Sequence, residues 1–574
     1  RLNIFGNMHA DIKLPFLEGF NYRINYSQNY ITSNRNNFNP QGASYTGTAY
    51  KNTSQQYVWS LDNIVTYVKS FKDIHNINLT LVYGVDDLNI SSTNSSAQKF
   101  LNPELGYNSL ESGDPTLFSL SSGAAKETSL YTMARLLYDF RSKYLITGTI
   151  RRDGFSGFGS KSKIGLFPSV ALAWVISEEN FLKLNWVDYL KLRASYGASG
   201  RRGVSRYDTQ AVVSSNPTII FGDGGKTTMG QWISKMANND LGWETTTGLN
   251  TGIDFNLINS RLNGNIEFYL NNTKNILYTI QLPLITGFSG IMTNIGKVRN
   301  HGIELTLTGN LLRSQDVNWD ISFNYSRNRN KIVSILGPNK EGVEEDLVAN
   351  NLFIGEPQAV IYDYEIVGEG QMWQLSDKVA GVIPAGFAPG TYKIVDQNKD
   401  EKFSASNDKK ILGYPDPAYR FGIANNLSYK NISLYFFINS IQGGKNYYKA
   451  YGGPPWNWNN YEFITHKNGP KGGFDYWMPE NPNAKYRRLD WNPSYEGRVY
   501  DQRNFIRLQD VTISYTFKKS LINKLSINNL RIFASGKNLF TITKWEGWDP
   551  ETGRGIDAGY PVMTDLTLGL NVEF

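Results

Sequence analysis

The sequence predicts an all-β protein of the membrane-crossing kind, a large antiparallel transmembrane β-barrel, and three observations carry that prediction. First, the C-terminal residues alternate without a break. Leu566, Leu568, Leu570, Val572 and Phe574 fall on one side, and Thr567, Gly569, Asn571 and Glu573 on the other. A strand of about ten residues with one apolar face, ending in an aromatic ring, has the form of a strand that crosses a bilayer at a tilt. Second, the same period-two pattern recurs along the chain, while no run of about 18 apolar residues exists to cross as a helix. Third, the connections divide into short turns and long polar loops, the arrangement of barrels whose turns face inward and whose loops face outward.

The elements follow in order. Leu2, Ile4, Met8 and Ile12 alternate with Asn3, Asn7, His9 and Asp11, so the chain opens inside a strand. Later strands set Leu262, Ile266, Phe268 and Leu270 against Asn263, Asn265, Glu267 and Tyr269. Ile303, Leu305 and Leu307 oppose Glu304, Thr306 and Thr308, and Ile321, Phe323 and Tyr325 oppose Ser322, Asn324 and Ser326. Val511, Ile513, Tyr515 and Phe517 oppose Thr512, Ser514 and Thr516. Such segments number roughly 17 or 18. Their charged members fall almost always on the polar side, as they must if the other side meets lipid, where Lys or Arg near the midplane costs about 2–4 kcal/mol. A soluble sandwich also alternates, but with strands of about five or six residues.

Short turns are expected at 14–19 and 258–261. Long loops are expected at about 89–127, 200–244, 336–357, 369–419 and 443–504. Because an open sheet edge in hydrocarbon strands a row of unpaired N–H and C=O groups, further strands are expected ahead of Leu2 to close the sheet.

Composition agrees with this class without proving it. Of 574 residues, 40% are hydrophobic and 19% charged. The mean hydropathy of −0.40 suits a barrel with a polar interior as well as a soluble protein. The 35 Tyr and 13 Trp suit a membrane–water boundary, where one end of the ring is wet and the other dry. With no cysteine, disulfides and thiolate metal sites are excluded. The net charge of +7 is spread rather than blocked. Arg151-Arg152 and Arg201-Arg202, expected in loops, do not make a nucleic-acid patch, though a mildly basic surface suits lipopolysaccharide phosphates.

Two local motifs bear on chemistry. Asp396, Asn398, Asp400, the Lys402 carbonyl and Asp408 approach the spacing of an oxygen-ligand loop for Ca²⁺, but Glu401 stands where the sharp turn wants glycine. The competing reading is a purely structural loop. In 451–500, Trp456, Trp458, Tyr461, Trp477 and Trp491 lie among Gly, Pro and Asn. They suit contact with a lid protein, packing within the loop itself or, after those, direct stacking on a ligand. Trp545 and Trp548 are expected as boundary anchors. The glycines of 222–226 lack phosphate-loop spacing. Four scattered histidines, no HExxH and no GxSxG leave no catalyst.

A resemblance then emerges from specific residues. The stretches 134–139 (ARLLYD), 144–154 (YLITGTIRRDG), 167–170 (FPSV) and 190–197 (LKLRASYG) resemble SusC/RagA-type TonB-dependent outer-membrane transporters of Bacteroidota. So do 294–305 (NIGKVRNHGIEL), 477–484 (WMPENPNA) and 535–540 (SGKNLF). Arg487 departs from the family's usual proline. The resemblance implies a barrel of the 22-stranded type, this chain supplying most of the strands as its C-terminal portion, with the plug and TonB box absent from it. It also implies TonB-driven import of an oligosaccharide or peptide, with a SusD-like surface lipoprotein as lid and TonB engaged through the missing N-terminal region. The alternatives are a passive pore or structural scaffold in the outer membrane and, more weakly, a secreted β-rich binding protein.

Overall fold

The computed structural model describes the chain except residues 41, 43–45, 101, 215–217, 221–226, 369, 448–474, 489–493, 523–526, 546, 548 and 554–561. Among the described residues, seventeen strands belong to the antiparallel ladders of the main sheet. They are β1 (Leu2–Lys13), β2 (Phe20–Asn39), β3 (Thr48–Phe71), β4 (His75–Gln98), β5 (Ser119–Phe140), β6 (Tyr144–Phe155), β7 (Ile164–Val175) and β8 (Val187–Arg201). Then come β9 (Glu244–Leu257), β10 (Leu262–Lys274), β11 (Lys297–Arg313), β12 (Val317–Ser334) and β13 (Tyr419–Tyr429). The last four are β14 (Ile432–Gln442), β15 (Phe505–Thr516), β16 (Asn529–Thr543) and β17 (Asp565–Glu573). No described helix is long and apolar enough to cross a membrane. The chain divides into two compact units, Arg1–Asn180 with Lys191–Thr251 and Asn271–Val298, and Phe181–Leu190 with Gly252–Leu270 and Arg299–Phe574.

In the first unit, β1 to β7 pair in sequence order, which aligns one apolar row across them: Ile12, Tyr22, Val65, Leu81, Ala134, Ile150 and Pro168. Ile12, Leu81 and Ile150 in this row are exposed. The neighbouring row, on the other face, contains the Asp11–Arg23 pair, whose Oδ1 to Nε distance is 2.6 Å. Strands β3 and β4 each run 24 residues, more than twice the bilayer requirement of about 9–11. The expected 89–127 loop is therefore shorter than predicted, since β4 continues to Gln98 and β5 resumes at Ser119. Beyond the bilayer both faces meet water, so the apolar half of the alternation disappears while the hydrogen-bonded ladder continues. Sequence patterning is blind to such strand. Arg151 and Arg152 lie within β6 for the same reason, and the Arg151 guanidinium sits 4.6 Å over the Tyr131 ring and 2.8 Å from Asp153. Tyr131 lies across Gly84, where any Cβ would come within 2.2 Å of the ring, and its hydroxyl donates to Asp62.

In the second unit, β12 to β17 pair in order, and the aligned row is Trp319, Leu427, Leu434, Ile513, Ala534 and Leu568. Leu566, Leu568 and Leu570 are 80%, 86% and 59% exposed. A polar residue on this face, Asn425, is buried and accepts the Trp319 indole N–H at 2.9 Å, which satisfies both groups away from water. Gln509 bulges out of β15, where the ladder register shifts between Leu508 and Asp510.

The turns at 14–19 and 258–261 close as expected. Ile258, Asn259 and Ser260 all take positive φ (59°, 53°, 60°), as do Lys72 with Asp73 and Arg141 with Ser142. These tight hairpins therefore form without the Asn-Gly or Asp-Gly signal that usually marks them.

Candidate functional site

The long loops of the second unit fold into a body of their own. A short sheet pairs Ile361–Tyr364 with Lys409–Gly413, and β-bridges join Ile366 to Ile394 and Met372 to Tyr392. Two apolar clusters fill it, one of Met372, Tyr392, Trp477 and Ala484, the other of Tyr364, Phe387 and Ile394. Here the apolar side chains point inward, the reverse of the strands.

Buried charge ties this body together. Asp363, 2% exposed, accepts the Tyr500 hydroxyl at 2.6 Å and the Arg498 guanidinium at 3.2 Å. Burial, then the bond to Asp363, holds the Tyr500 hydroxyl above its ordinary range. Burial likewise pushes Tyr392 up to about 12. Arg487, in the position where the resemblance expected proline, is fully enclosed and donates to Glu496 at 2.8 Å and to the Arg488 carbonyl at 3.0 Å. Arg507, also buried, bonds Asp549 and Glu551, each at 2.9 Å. None of these partnerships was visible in the sequence: those of Asp363 and Arg507 join residues 42 to 137 apart in the chain, and a single charged residue in a polar loop, such as Arg487, ordinarily reads as solvated.

Beside this body lies an open cavity of 970 Å³, bordered among others by Arg329, Lys331, Glu356, Asp416, Arg420 and Lys445. Several of its groups are already engaged. Arg329 donates to the Pro417 carbonyl at 3.2 Å, Asn330 to Asp416 at 3.2 Å, and Tyr414 to Glu356 at 2.8 Å. Among the described residues the lining offers polar donors and acceptors of both charges.

Of the aromatic candidates, Trp456, Trp458, Tyr461 and Trp491 lie outside the described residues. Trp477 is 4% exposed, with its indole N–H donated to Gln374 at 3.0 Å. Gly390, at φ +83°, lies so close to the ring that a Cβ would approach to 2.3 Å. Trp477 is therefore packing for the loop body, and no face is left for a ligand or a lid. Trp545 is also buried, which removes it as a boundary anchor; Trp548 and residues 222–226 lie outside the described residues.

In the 396–408 loop, the Asp396 carboxylate accepts the amides of Lys399 and Glu401, both at 2.7 Å. Asp400 accepts the Lys402 amide at 2.8 Å and the Asn398 side chain at 2.8 Å, and these bonds hold its carboxyl below the ordinary range. Asp408, 0% exposed, accepts the amides of Gln397 and Ser404 at 3.1 and 2.7 Å. Glu401 takes φ 62°, the left-handed turn for which glycine was expected. These carboxylate oxygens accept main-chain N–H groups and, at Asp400, the Asn398 side chain, and no group of three His, Cys, Asp or Glu side chains that could hold a metal ion forms among the described residues.

With the exposed apolar strands and the folded outer loops in view, comparison places the chain. A family model described as TonB dependent receptor-like, beta-barrel, matches residues 6–539, and the chain belongs to that family. The TonB-dependent receptor P3 of Formosa agariphila is 30% identical over 600 residues, covering 97% of this chain and 57% of its own length. The TonB-dependent receptor SusC of Bacteroides thetaiotaomicron is 27% identical over 610 residues, covering 99% and 55%. The structure titled the RagAB peptide transporter aligns with a TM-score of 0.78 at 23% identity, over all of this chain and 62% of that one. The chain thus spans a little over half the length of these curated relatives. The SusC/RagA-type resemblance read from the motifs is upheld, and so is the all-β barrel class. The family is one of outer-membrane receptors and not a class of enzymes.

Proposed function

We propose that this chain forms the wall and outer loops of an importer that draws an oligosaccharide or a peptide across the outer membrane, powered through TonB. The observation that carries the reading is the exposed apolar face of β1–β7 and β12–β17 in a chain whose family is one of TonB-dependent receptors. A rigid outer loop body beside a polar cavity of 970 Å³ supports substrate capture at the outer mouth. The long connections at 99–118 and at about 200–244, 336–357, 369–419 and 443–504 are read as extracellular, with a SusD-like lipoprotein seated over them. TonB is taken to act through a region beyond these 574 residues, in keeping with the greater length of the relatives. The 396–408 loop is read as closed by its own hydrogen bonds, so that Ca²⁺ binding there requires those bonds to open.

The test uses the full-length protein in its own cells with labelled oligosaccharides and peptides. Import should stop when an uncoupler collapses the proton gradient, and a surface lipoprotein should co-purify. Uptake that continues unchanged to equilibrium under the uncoupler would replace this reading with a passive pore.

A further inference from the structure

The outer part of β5 is a bare sheet edge. β6 pairs with β5 only between Ser129 and Phe140, so Ser119–Thr128 has β4 on one side and, among the described residues, no strand on the other. The stretch from Phe140 to Leu130 already covers a bilayer, which takes about 9–11 strand residues, so the bare stretch stands above it.

In an antiparallel ladder every second residue turns its main-chain groups toward the same neighbour. The Lys126 N–H goes to the Tyr207 hydroxyl at 3.1 Å and the Thr128 N–H to the Ser156 hydroxyl at 2.9 Å, both away from β4. The ladder with β4 runs without a register shift, so Leu120, Ser122 and Ala124 turn theirs the same way. Among the described residues nothing takes those groups, and each of the three leaves one N–H and one C=O open. Tyr207 shows how the edge is filled. Its hydroxyl accepts the Lys126 N–H and donates to the Lys126 carbonyl at 3.5 Å, standing where a strand residue would. Edges are normally blunted by proline, lysine, a bulge or a covering loop. From Leu120 to Ala125 the residues are Leu, Ser, Ser, Gly, Ala and Ala, and Leu120 is 80% exposed, so a second chain can approach closely.

Beside Ala124 lies a cavity of 330 Å³, bordered among others by Tyr30, Gln55, Tyr57, Asn89 and Tyr207. Its one charged lining residue, Lys126, sits 3.4 Å from the buried Asp87, which leaves the cavity neutral. Ala124 stands opposite Ser91 and Lys126 opposite Asn89, so an added strand would set alternate side chains over this cavity.

We infer that this edge binds an extended peptide by strand addition. Leu120, Ser122 and Ala124 pair its main chain, and the neutral cavity receives one of its side chains. Resting on the importer reading above, this makes the cargo peptide, because a sugar chain has no repeat of N–H and C=O to match the edge. Recognition through the main chain demands no particular sequence, which suits a varied cargo.

The test titrates the full-length protein in detergent with a fluorescent heptapeptide of alternating Thr and Val carrying a central Phe. The same peptide N-methylated at every residue, and maltoheptaose as competitor, complete the set. The wild type should bind the plain peptide and not its N-methylated form. Ser122→Pro removes one outward N–H where an edge tolerates proline, and should weaken binding on the order of tenfold. Tyr30→Ala should weaken the peptide with central Phe more than one with central Ala. Equal binding of the N-methylated peptide, unchanged affinity in Ser122→Pro, or displacement by maltoheptaose would overturn the proposal. So would absence of peptide binding; if Ser122→Pro then loosened self-association or the hold on a co-purifying lipoprotein, the edge would belong to a protein partner. Binding in detergent needs neither TonB nor uptake. A passive-pore result under the uncoupler therefore leaves this site standing, and failure of the site leaves the importer reading in place.

Discussion

In β17, Leu566, Leu568 and Leu570 turn their side chains away from the rest of the protein; earlier in the same chain, Trp477, Tyr392 and Phe387 bury theirs inside the outer loops. The two regions follow one rule in two solvents. An apolar side chain leaves water wherever it can, and beside a strand in the membrane the nearest refuge is lipid, whereas in a loop above the membrane it is the loop's own interior. Buried charge divides the same way. Asp363, Arg487 and Arg507 are enclosed and paired in or against the loop body, while on the apolar face of β13 the buried Asn425 is satisfied by Trp319.

The sharpest way to break the comparison is Trp477→Ala. It removes a large ring from a packed cluster and should destabilise the loop body by about 3–5 kcal/mol while leaving the strands intact. Limited proteolysis should open the 361–500 region with heat-modifiable mobility unchanged, and loss of both together would show that the two regions fold as one. Next in size, Leu568→Arg places a cation on the lipid side and should cost about 2–4 kcal/mol in a urea titration. Thr567→Arg, one residue away on the polar side, should cost far less; equal costs would deny that lipid covers one face only.

A third effect separates the regions by pH. Tyr392 is held at about 12 by burial against an ordinary value of 10, so its contribution is full below about pH 10 and is lost as pH rises through the folded value. Tyr500 moves in the same direction. Tryptophan fluorescence of the loops should therefore change between about pH 10 and 12 before the strand circular dichroism does. The smallest effect belongs to Glu401→Gly. Relief of a left-handed residue, worth about 1–2 kcal/mol, is partly offset by the greater freedom of unfolded glycine, leaving a gain below about 1 kcal/mol. Chelating Ca²⁺ should shift the melting temperature of neither form.

Legibility followed the same division. Within the bilayer the strands announced themselves, and the turns at 14–19 and 258–261 fell where expected, because lipid on one side imposes period two. Above the bilayer that constraint ends, and the outer ends of β4 and β5, rich in Ser, looked like loop. Trp477 could be recognised as one aromatic among many but not as a buried one, since its partners Gln374 and Gly390 lie some hundred residues earlier. Arg487 looked like a departure from a pattern and proved to be the partner of Glu496.

The sequence by itself determined the class: alternation long enough to cross a membrane, sustained through the chain, leaves a lipid-facing strand as its physical explanation. Only the tertiary structure decided which aromatics and charges are enclosed and how the 396–408 carboxylates spend their oxygens. The enclosure of aromatics such as Trp477 depends on contacts between residues distant in the chain, and the carboxylate bonds depend on the backbone path of the loop; both are set by convergence in space, which no local pattern records.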